Sequence, residues 1–343
     1  MAQNNYTRIV LQERPITNIV PTTFRSEVLP LYLEPKDAQV LVKVNWLSLD
    51  PAMRGWLRDT RSYLPPVQIG EVMRATGLGT VVKTGSGSQF EKGDMVQATL
   101  GWTEYAVMND KQCNKIIAPE GTDALDFLNT LGLPGMTAYF GLKDIGKLKK
   151  GETLVVSGAA GAVGSLACQL GKHMGAKVIA IAGSAEKCAW LEKELGVDKA
   201  LNYKSSSFYE DWKAQGYLDV YFDNVGGDIL DFALNRLNKG ARIALCGAIS
   251  QYNSTKPKGL QSYMSLISQR AKIEGFIVFD YASQFPAAVK ELADALAAGS
   301  IKRKFHIVEG LEKAPEGLLM LFSGENTGKL VIKVAEDDHN SKL

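Results

Sequence analysis

The stretch "VVSGAAGAVGS", residues 155 to 165, decides the fold. Its glycines at 158, 161 and 164 give the spacing G-x-x-G-x-x-G, one step away from the G-x-G-x-x-G pattern of dinucleotide-binding turns. The flanks carry more information than the spacing. "ETLVVSG" is a short apolar run suited to a buried strand, and "AVGSLACQLGKHMG" has the composition of a helix. A strand, a glycine turn and a helix place the helix N-terminus, with its unpaired N–H groups and positive dipole end, where a pyrophosphate binds. Gly161 lets the backbone approach the phosphates, and Gly164 lets the helix pack closely on the strand. A glycine-rich connection without a ligand is the plain alternative for the turn taken alone.

Working outward, strands and helices alternate from about residue 125. "AKVIAIAG" is followed by a helix over "SAEKCAWLEKELG", then "KALNY", the run "LDVYFDNVGG", a helix over "DILDFALNRLNKG" and the strand "ARIALCGAIS". "AKIEGFIVF" and a helix over "QFPAAVKELADALAAG" close the series. Short apolar runs alternating with helices predict a parallel sheet covered on both faces. The first third reads instead as β-rich and glycine-punctuated, with "AQVLVKVNWLSL" (38–49) alternating as a half-buried strand in its first half. After residue 301 the chain turns β-like again at "KFHIVEG" and "GKLVIKVAEDD", which predicts a discontinuous first domain completed by the C-terminal segment. The tail "EDDHNSKL" reads as frayed.

The end of the second strand of the series selects the cofactor. An NAD site places a carboxylate there for the ribose hydroxyls. Here the chain offers Gly183, Ser184 and Lys187 in "AGSAEK". A small residue, a hydroxyl and an ammonium suit the 2′-phosphate of NADPH, with Glu186 set in the first helical turn. Lys187 as a solvated helix lysine is the bland alternative.

Composition narrows the function. A formal net charge of +2 in 343 residues gives no reason to expect nucleic acid. No segment has the length and apolarity of a membrane span, and "MAQNNYTRIV" lacks the pattern of a signal peptide. The four cysteines are scattered without a C-x-x-C pair, consistent with reduced thiols and a cytoplasmic location. The three histidines, His173, His306 and His339, form no plausible ligand cluster with them, so no metal is expected and hydrogen-bond donors must handle negative charge on a substrate.

Ten segments in order along nearly the whole chain resemble one family: "LSLDPAMRG", "SYLPPVQIGEVM", "LGLPGMTAYFGL", "GAAGAVGS", "AGSAEK", "NYK", "YFDNVGG", "CGAISQYN", "GFIV" and "GENTGK". The sequence resembles the zinc-free branch of the medium-chain dehydrogenase/reductase superfamily, the NADPH-dependent alkenal and enone double-bond reductases. The resemblance implies an α/β fold: a GroES-like β-barrel domain over residues 1–127 and 302–343, and a Rossmann domain with a doubly wound parallel sheet over 128–301, with the active site in the cleft between them. It implies a diphosphate on Gly161, Ala162, Val163 and Gly164, and a 2′-phosphate held by Lys187 and Tyr203 beside Ser184. Asn224, the backbone from Cys246 to Tyr252, and Phe276, Ile277 and Val278 line the nicotinamide half, and Asn326 reaches in from the C-terminal segment.

The implied reaction is hydride transfer to the β-carbon of an α,β-unsaturated ketone or aldehyde, followed by protonation of the enolate. Tyr252 is the leading proton or hydrogen-bond donor and Tyr63 a second candidate hydroxyl. One departure stands out: "DPAMRG" has Ala52 where the family commonly has tyrosine, so any role of that hydroxyl does not carry over. A homodimer is implied by the family alone. Two other functions stay open on the residues: NADPH-dependent quinone reduction, and an NADPH-binding sensor without catalysis.

Overall fold

The computed structural model describes residues 5–336. The tail expected to fray therefore lies largely outside the described residues. Contacts divide the chain into two units. One is Asn129–Lys304; the other comprises the segments on either side of it, through Leu128 and from Phe305.

The flanking unit is built on antiparallel strands. β1 (Asn5–Leu11) and β2 (Phe24–Pro30) form a hairpin paired from Asn5↔Pro30 to Leu11↔Phe24. The larger sheet contains β3 (Gln39–Ser48), β4 (Gly77–Thr84), β5 (Met95–Ala98), β6 (Tyr105–Asn109) and β7 (Asn114–Lys115). β3 was expected to be half-buried, but eight of its ten residues are buried. The reason is tertiary: β4 lies along one edge and β6 and a C-terminal strand share the other, while Val40, Val42, Val44 and Leu47 enter one hydrophobic cluster and Trp46 packs with Leu125 and Leu128 in another. The core of this unit includes Val42, Val44, Leu47, Met53, Leu57 and Trp102.

Asn129–Lys304 carries six parallel strands: β8 (Thr153–Val156), β9 (Lys177–Ala182), β10 (Lys199–Asn202), β11 (Leu218–Asp223), β12 (Leu237–Leu245) and β13 (Lys272–Gly275). Their order is β10-β9-β8-β11-β12-β13, which is 3-2-1-4-5-6 counted within the unit. That is the Rossmann order, whose switch point lies between the first and fourth strands, here β8 and β11. Residues such as Val155, Ile179, Tyr221 and Ile243 are almost completely buried, as expected of strands covered on both faces.

Two helix readings change. The helix expected over residues 228–240 ends at Leu234, and β12 starts at Leu237, so "LNKG" belongs to the sheet. Pairing with β11, which begins at Leu218↔Leu237, overrides the local helix pattern. Helices at Leu133–Phe140 and Phe208–Lys213 were not anticipated.

The C-terminal return supplies β14 (Phe305–Glu309) and β15 (Lys329–Lys333), parallel to each other around the helix Ala314–Ser323. β15 then pairs antiparallel with β3 through Val331↔Ser48. No helix among the described residues is long and apolar enough to cross a membrane.

Candidate cofactor site

The glycine turn joins β8 to the helix Ala162–His173. Gly158 has φ +58°, a conformation that costs a residue with a Cβ about 1–2 kcal/mol. At Gly164 a Cβ would stand 2.3 Å from the Gly158 carbonyl oxygen and 2.8 Å from Ala159 Cα, so only glycine lets the helix sit this close to the turn. Gly161 is the N-cap, and no side chain caps the first turn formed by Ala162, Val163 and Gly164. Those N–H groups point along the dipole toward the place a diphosphate would take.

The residues expected at the adenosine end lie at the carboxyl ends of β9 and β10. Ser184 is the N-cap of the helix Ala185–Lys193, its Oγ accepting the Lys187 N–H at 3.2 Å. Capping therefore falls to Ser184, and Glu186 is an exposed first-turn residue. The Tyr203 N–H donates to the Ala182 carbonyl at 3.0 Å, which brings the tyrosine back beside the end of β9. Lys187 is half-buried, and burial together with the charge of Lys204 holds its ammonium below the ordinary lysine value. Lys204 also lies 5.8 Å from the centroid of the Tyr203 ring. Two lysines and a phenol at one strand end make a setting for a doubly charged phosphate. In "NYK" only the tyrosine was expected at the site, because nothing local indicates that the charge of Lys204 reaches Lys187.

The opposite end is built by the β11 and β12 termini. Asn224 Nδ2 donates to the Ser157 carbonyl at 2.8 Å, tying it to the glycine turn. The N–H groups of Cys246 and Gly247 donate to the Asp223 carbonyl at 2.9 and 3.0 Å, and Ile249 N–H to Asn224 at 3.2 Å. The Tyr252 hydroxyl accepts the Ala248 N–H at 3.2 Å, fastening its own loop. An accepted bond of this kind polarises the phenol as a donor. Burial, then the neighbouring Asp223, pushes the Cys246 thiol up to about 12, which leaves it unreactive. The Phe276 ring packs edge-on to Phe222 with centroids 6.4 Å apart, and Ile277 and Val278 follow it half-buried.

The remaining two candidates belong to the other unit. Tyr63 is 45 % exposed and its hydroxyl accepts the Trp56 Nε1–H at 3.2 Å. Asn326 is buried, its Nδ2 donating to the Gly328 carbonyl at 3.1 Å within its own turn.

The residues present fit a dinucleotide phosphate. The first helical turn has no side-chain cap, Gly161 would meet only the Gly158 oxygen at 3.3 Å if it carried a Cβ, and cations stand at the adenosine end. No group of three or more His, Cys, Asp or Glu side chains among the described residues is arranged to hold a metal ion.

Known proteins are similar to this chain over nearly its full length. Residues 7–116 match the family described as N-terminal domain of oxidoreductase, and residues 162–294 the family described as zinc-binding dehydrogenase. The NADPH-dependent curcumin reductase of Escherichia coli is 38 % identical over 339 residues, covering 96 % of this chain and 97 % of that one. The NADP(+)-dependent 2-alkenal reductase of Nicotiana tabacum is 38 % identical over 303 residues, 87 % of this chain and 88 % of that one. The crystal structure of CurA from Vibrio vulnificus in complex with NADPH superposes with a TM-score of 0.90 at 38 % identity, covering 96 % of this chain and 99 % of that one. The chain belongs to the medium-chain dehydrogenase/reductase superfamily, in the branch of the alkenal and enone reductases.

Proposed function

We infer that the protein is an NADPH-dependent reductase of the carbon–carbon double bond of α,β-unsaturated ketones and aldehydes, working without a metal. The observation that carries this reading is the cofactor cradle itself, in a chain 38 % identical to the curcumin reductase over almost its full length. Lys187, Lys204 and Tyr203 mark one end of that cradle, and the Asn224 and Cys246–Tyr252 loops the other. Bound NADPH supplies the hydride that reaches the β-carbon of the substrate.

The protein's own residues do the rest. Gly161 to Gly164 hold the diphosphate through backbone N–H groups, and Ser184, Lys187 and Tyr203 hold the 2′-phosphate end. Asn224, Cys246 to Tyr252, and Phe276 to Val278 orient the nicotinamide end, with Asn326 as a further cofactor contact. Tyr252 holds a proton on its phenol oxygen and offers it to the oxyanion that develops on the substrate carbonyl, directly or through water. A neutral phenol suits the task because its pKa lies near 10. Tyr63 is the second candidate for that hydroxyl. The same reading includes a small-molecule substrate, a homodimer and a cytoplasmic location.

The test is NADPH oxidation against a panel of enals, enones, quinones and saturated alcohols, with products identified. Saturated ketones and aldehydes from the first two classes are expected. Turnover confined to quinones, or tight NADPH binding with no turnover on the panel, would overturn the reading.

A further inference from the structure

A carboxylate outside the groups assigned above sits at the switch point of the sheet. Asp223, the last residue of β11, and Ser157, the first residue after β8, are both fully buried. Ser157 Oγ donates to Asp223 Oδ1 at 2.8 Å across the two central strands. The same Oδ1 accepts the Val225 N–H at 3.0 Å, and the Gly226 N–H lies 3.1 Å from each carboxylate oxygen. Ser157 Oγ in turn accepts the Asn224 N–H at 2.9 Å. The main chain of Asp223 completes the hub, its carbonyl taking the N–H groups of Cys246 and Gly247 from the end of β12. The ends of three adjacent strands thus converge on one residue.

Burying a carboxylate is costly unless its lone pairs are filled, and burial does raise the Asp223 pKa. The sheet does not require that cost, because β8 and β11 are already paired through Val220↔Leu154, Tyr221↔Val155 and Phe222↔Val156. What the carboxylate adds is a fixed geometry for the loops that leave the strands. Ligands of open α/β sheets bind at those carboxyl ends, beside the switch point. The donors to the carboxylate come from Ser157 and the Val225–Gly226 turn, next to Asn224, whereas Ser184, Lys187 and Tyr203 belong to the ends of β9 and β10.

We propose that Asp223, acting through Ser157, is the positioning residue for the nicotinamide half of the cofactor, and that it acts on that half alone. This rests on the cofactor reading above. Asp223→Asn keeps the size of the side chain and the main-chain carbonyl that holds Cys246 and Gly247, but it removes the charge and sets an N–H₂ group against the Gly226 N–H, so the hold on Ser157 Oγ and on the Val225–Gly226 turn beside Asn224 weakens.

The test compares two ligands by calorimetry on the wild type, Asp223→Asn and Ser157→Ala. NADPH carries both halves; adenosine 2′,5′-bisphosphate carries only the adenosine half. For Asp223→Asn the NADPH Kd is expected to rise at least tenfold, about the effect of one lost charge-assisted hydrogen bond, with the bisphosphate Kd within about twofold of wild type. Ser157→Ala, which keeps the carbonyl that Asn224 uses, is expected to move the same way by a smaller factor, and it decides the matter if Asp223→Asn does not fold. Unchanged NADPH binding in the variants, or parallel weakening of both ligands, overturns the proposal. If the wild type binds neither ligand, the cofactor reading fails instead. Amide hydrogen exchange then tests the anchor: faster exchange at Asn224 and Gly226, whose N–H groups bond Ser157 Oγ and the Asp223 carboxylate, with no change at Lys187 supports it, and any other pattern overturns it.

Discussion

The ring of Tyr203 lies directly against Gly183. A Cβ built on Gly183 would stand 2.9 Å from a ring carbon and 3.1 Å from the hydroxyl oxygen. The strand end where an NAD site places its carboxylate is therefore filled by an aromatic ring, and cofactor choice becomes a packing consequence as well as an electrostatic one. Gly183→Asp is expected to push the ring aside and repel the 2′-phosphate. The NADPH Kd should rise roughly 10- to 100-fold, the range of a lost charge-assisted contact, with NADH affected less. Fluorescence titration of both cofactors checks it; a preserved NADPH preference would remove Tyr203 and Gly183 from the selection.

Lys187 makes a separate prediction because it stands on the helix Ala185–Lys193, apart from the glycine turn. Lys187→Ala should weaken NADPH by about 10- to 100-fold and leave NADH within about threefold, since only NADPH carries the phosphate. Equal binding of the two cofactors by the wild type would sink the assignment before any variant is made.

The same lysine gives a pH dependence whose sign is fixed. Burial, and then repulsion from Lys204, sets its pKa below the ordinary lysine value. The ammonium that attracts the phosphate is present below that pKa and lost as pH rises through it. NADPH affinity should therefore decline on the alkaline side, starting short of the ordinary value of about 10.4, while NADH affinity stays level. Titrations of wild type and Lys187→Ala across that range separate the effect from general alkaline unfolding. An NADPH curve that parallels the NADH curve would contradict it.

Two glycines of one turn should behave oppositely. Gly164→Ala forces a methyl to within 2.3 Å of the Gly158 oxygen, so the helix must move. A loss of about 1–3 kcal/mol in unfolding free energy is expected, as for other overpacked sites. Gly161 has φ −85° and its nearest neighbour to a Cβ is 3.3 Å away. Gly161→Ala should fold with a smaller loss, about 0.5–1 kcal/mol, because alanine is a poorer N-cap than glycine but its Cβ needs only a small shift of the Gly158 oxygen. Its methyl occupies the approach of the diphosphate, so NADPH binding should fall. Denaturant unfolding together with NADPH titration reads both effects.

Tyr252→Phe removes the phenol that Ala248 bonds and that the substrate oxyanion would use. Turnover on an enone should drop at least tenfold, about 1.4 kcal/mol of barrier, with the NADPH Kd changed far less. Unchanged turnover would leave solvent as the proton source and Tyr63 as the remaining candidate hydroxyl.

The sequence by itself determined the parallel sheet, the glycine turn and the identity of the cofactor. Each of these depends on neighbours in the chain: a buried strand is a short apolar run, a phosphate turn is glycine between strand and helix, and Ser184 with Lys187 follows β9 directly. Local pattern failed where pairing or packing from afar prevailed. "LNKG" joined β12 because β11 was there to receive it, and β3 is buried beyond its local pattern because two hydrophobic clusters pack on it, one around Val42 and Val44 and another around Trp46. The charge of Lys204 reaching Lys187, Tyr203 covering Gly183 and Ser157 donating to Asp223 were likewise beyond the sequence. Ser157 and Asp223 both stood in quoted motifs, yet 66 positions separate them, and no spacing rule reaches across that distance. Only the crossover that lays β11 beside β8 makes them neighbours, because the parallel sheet sets strand ends side by side regardless of how much chain lies between them.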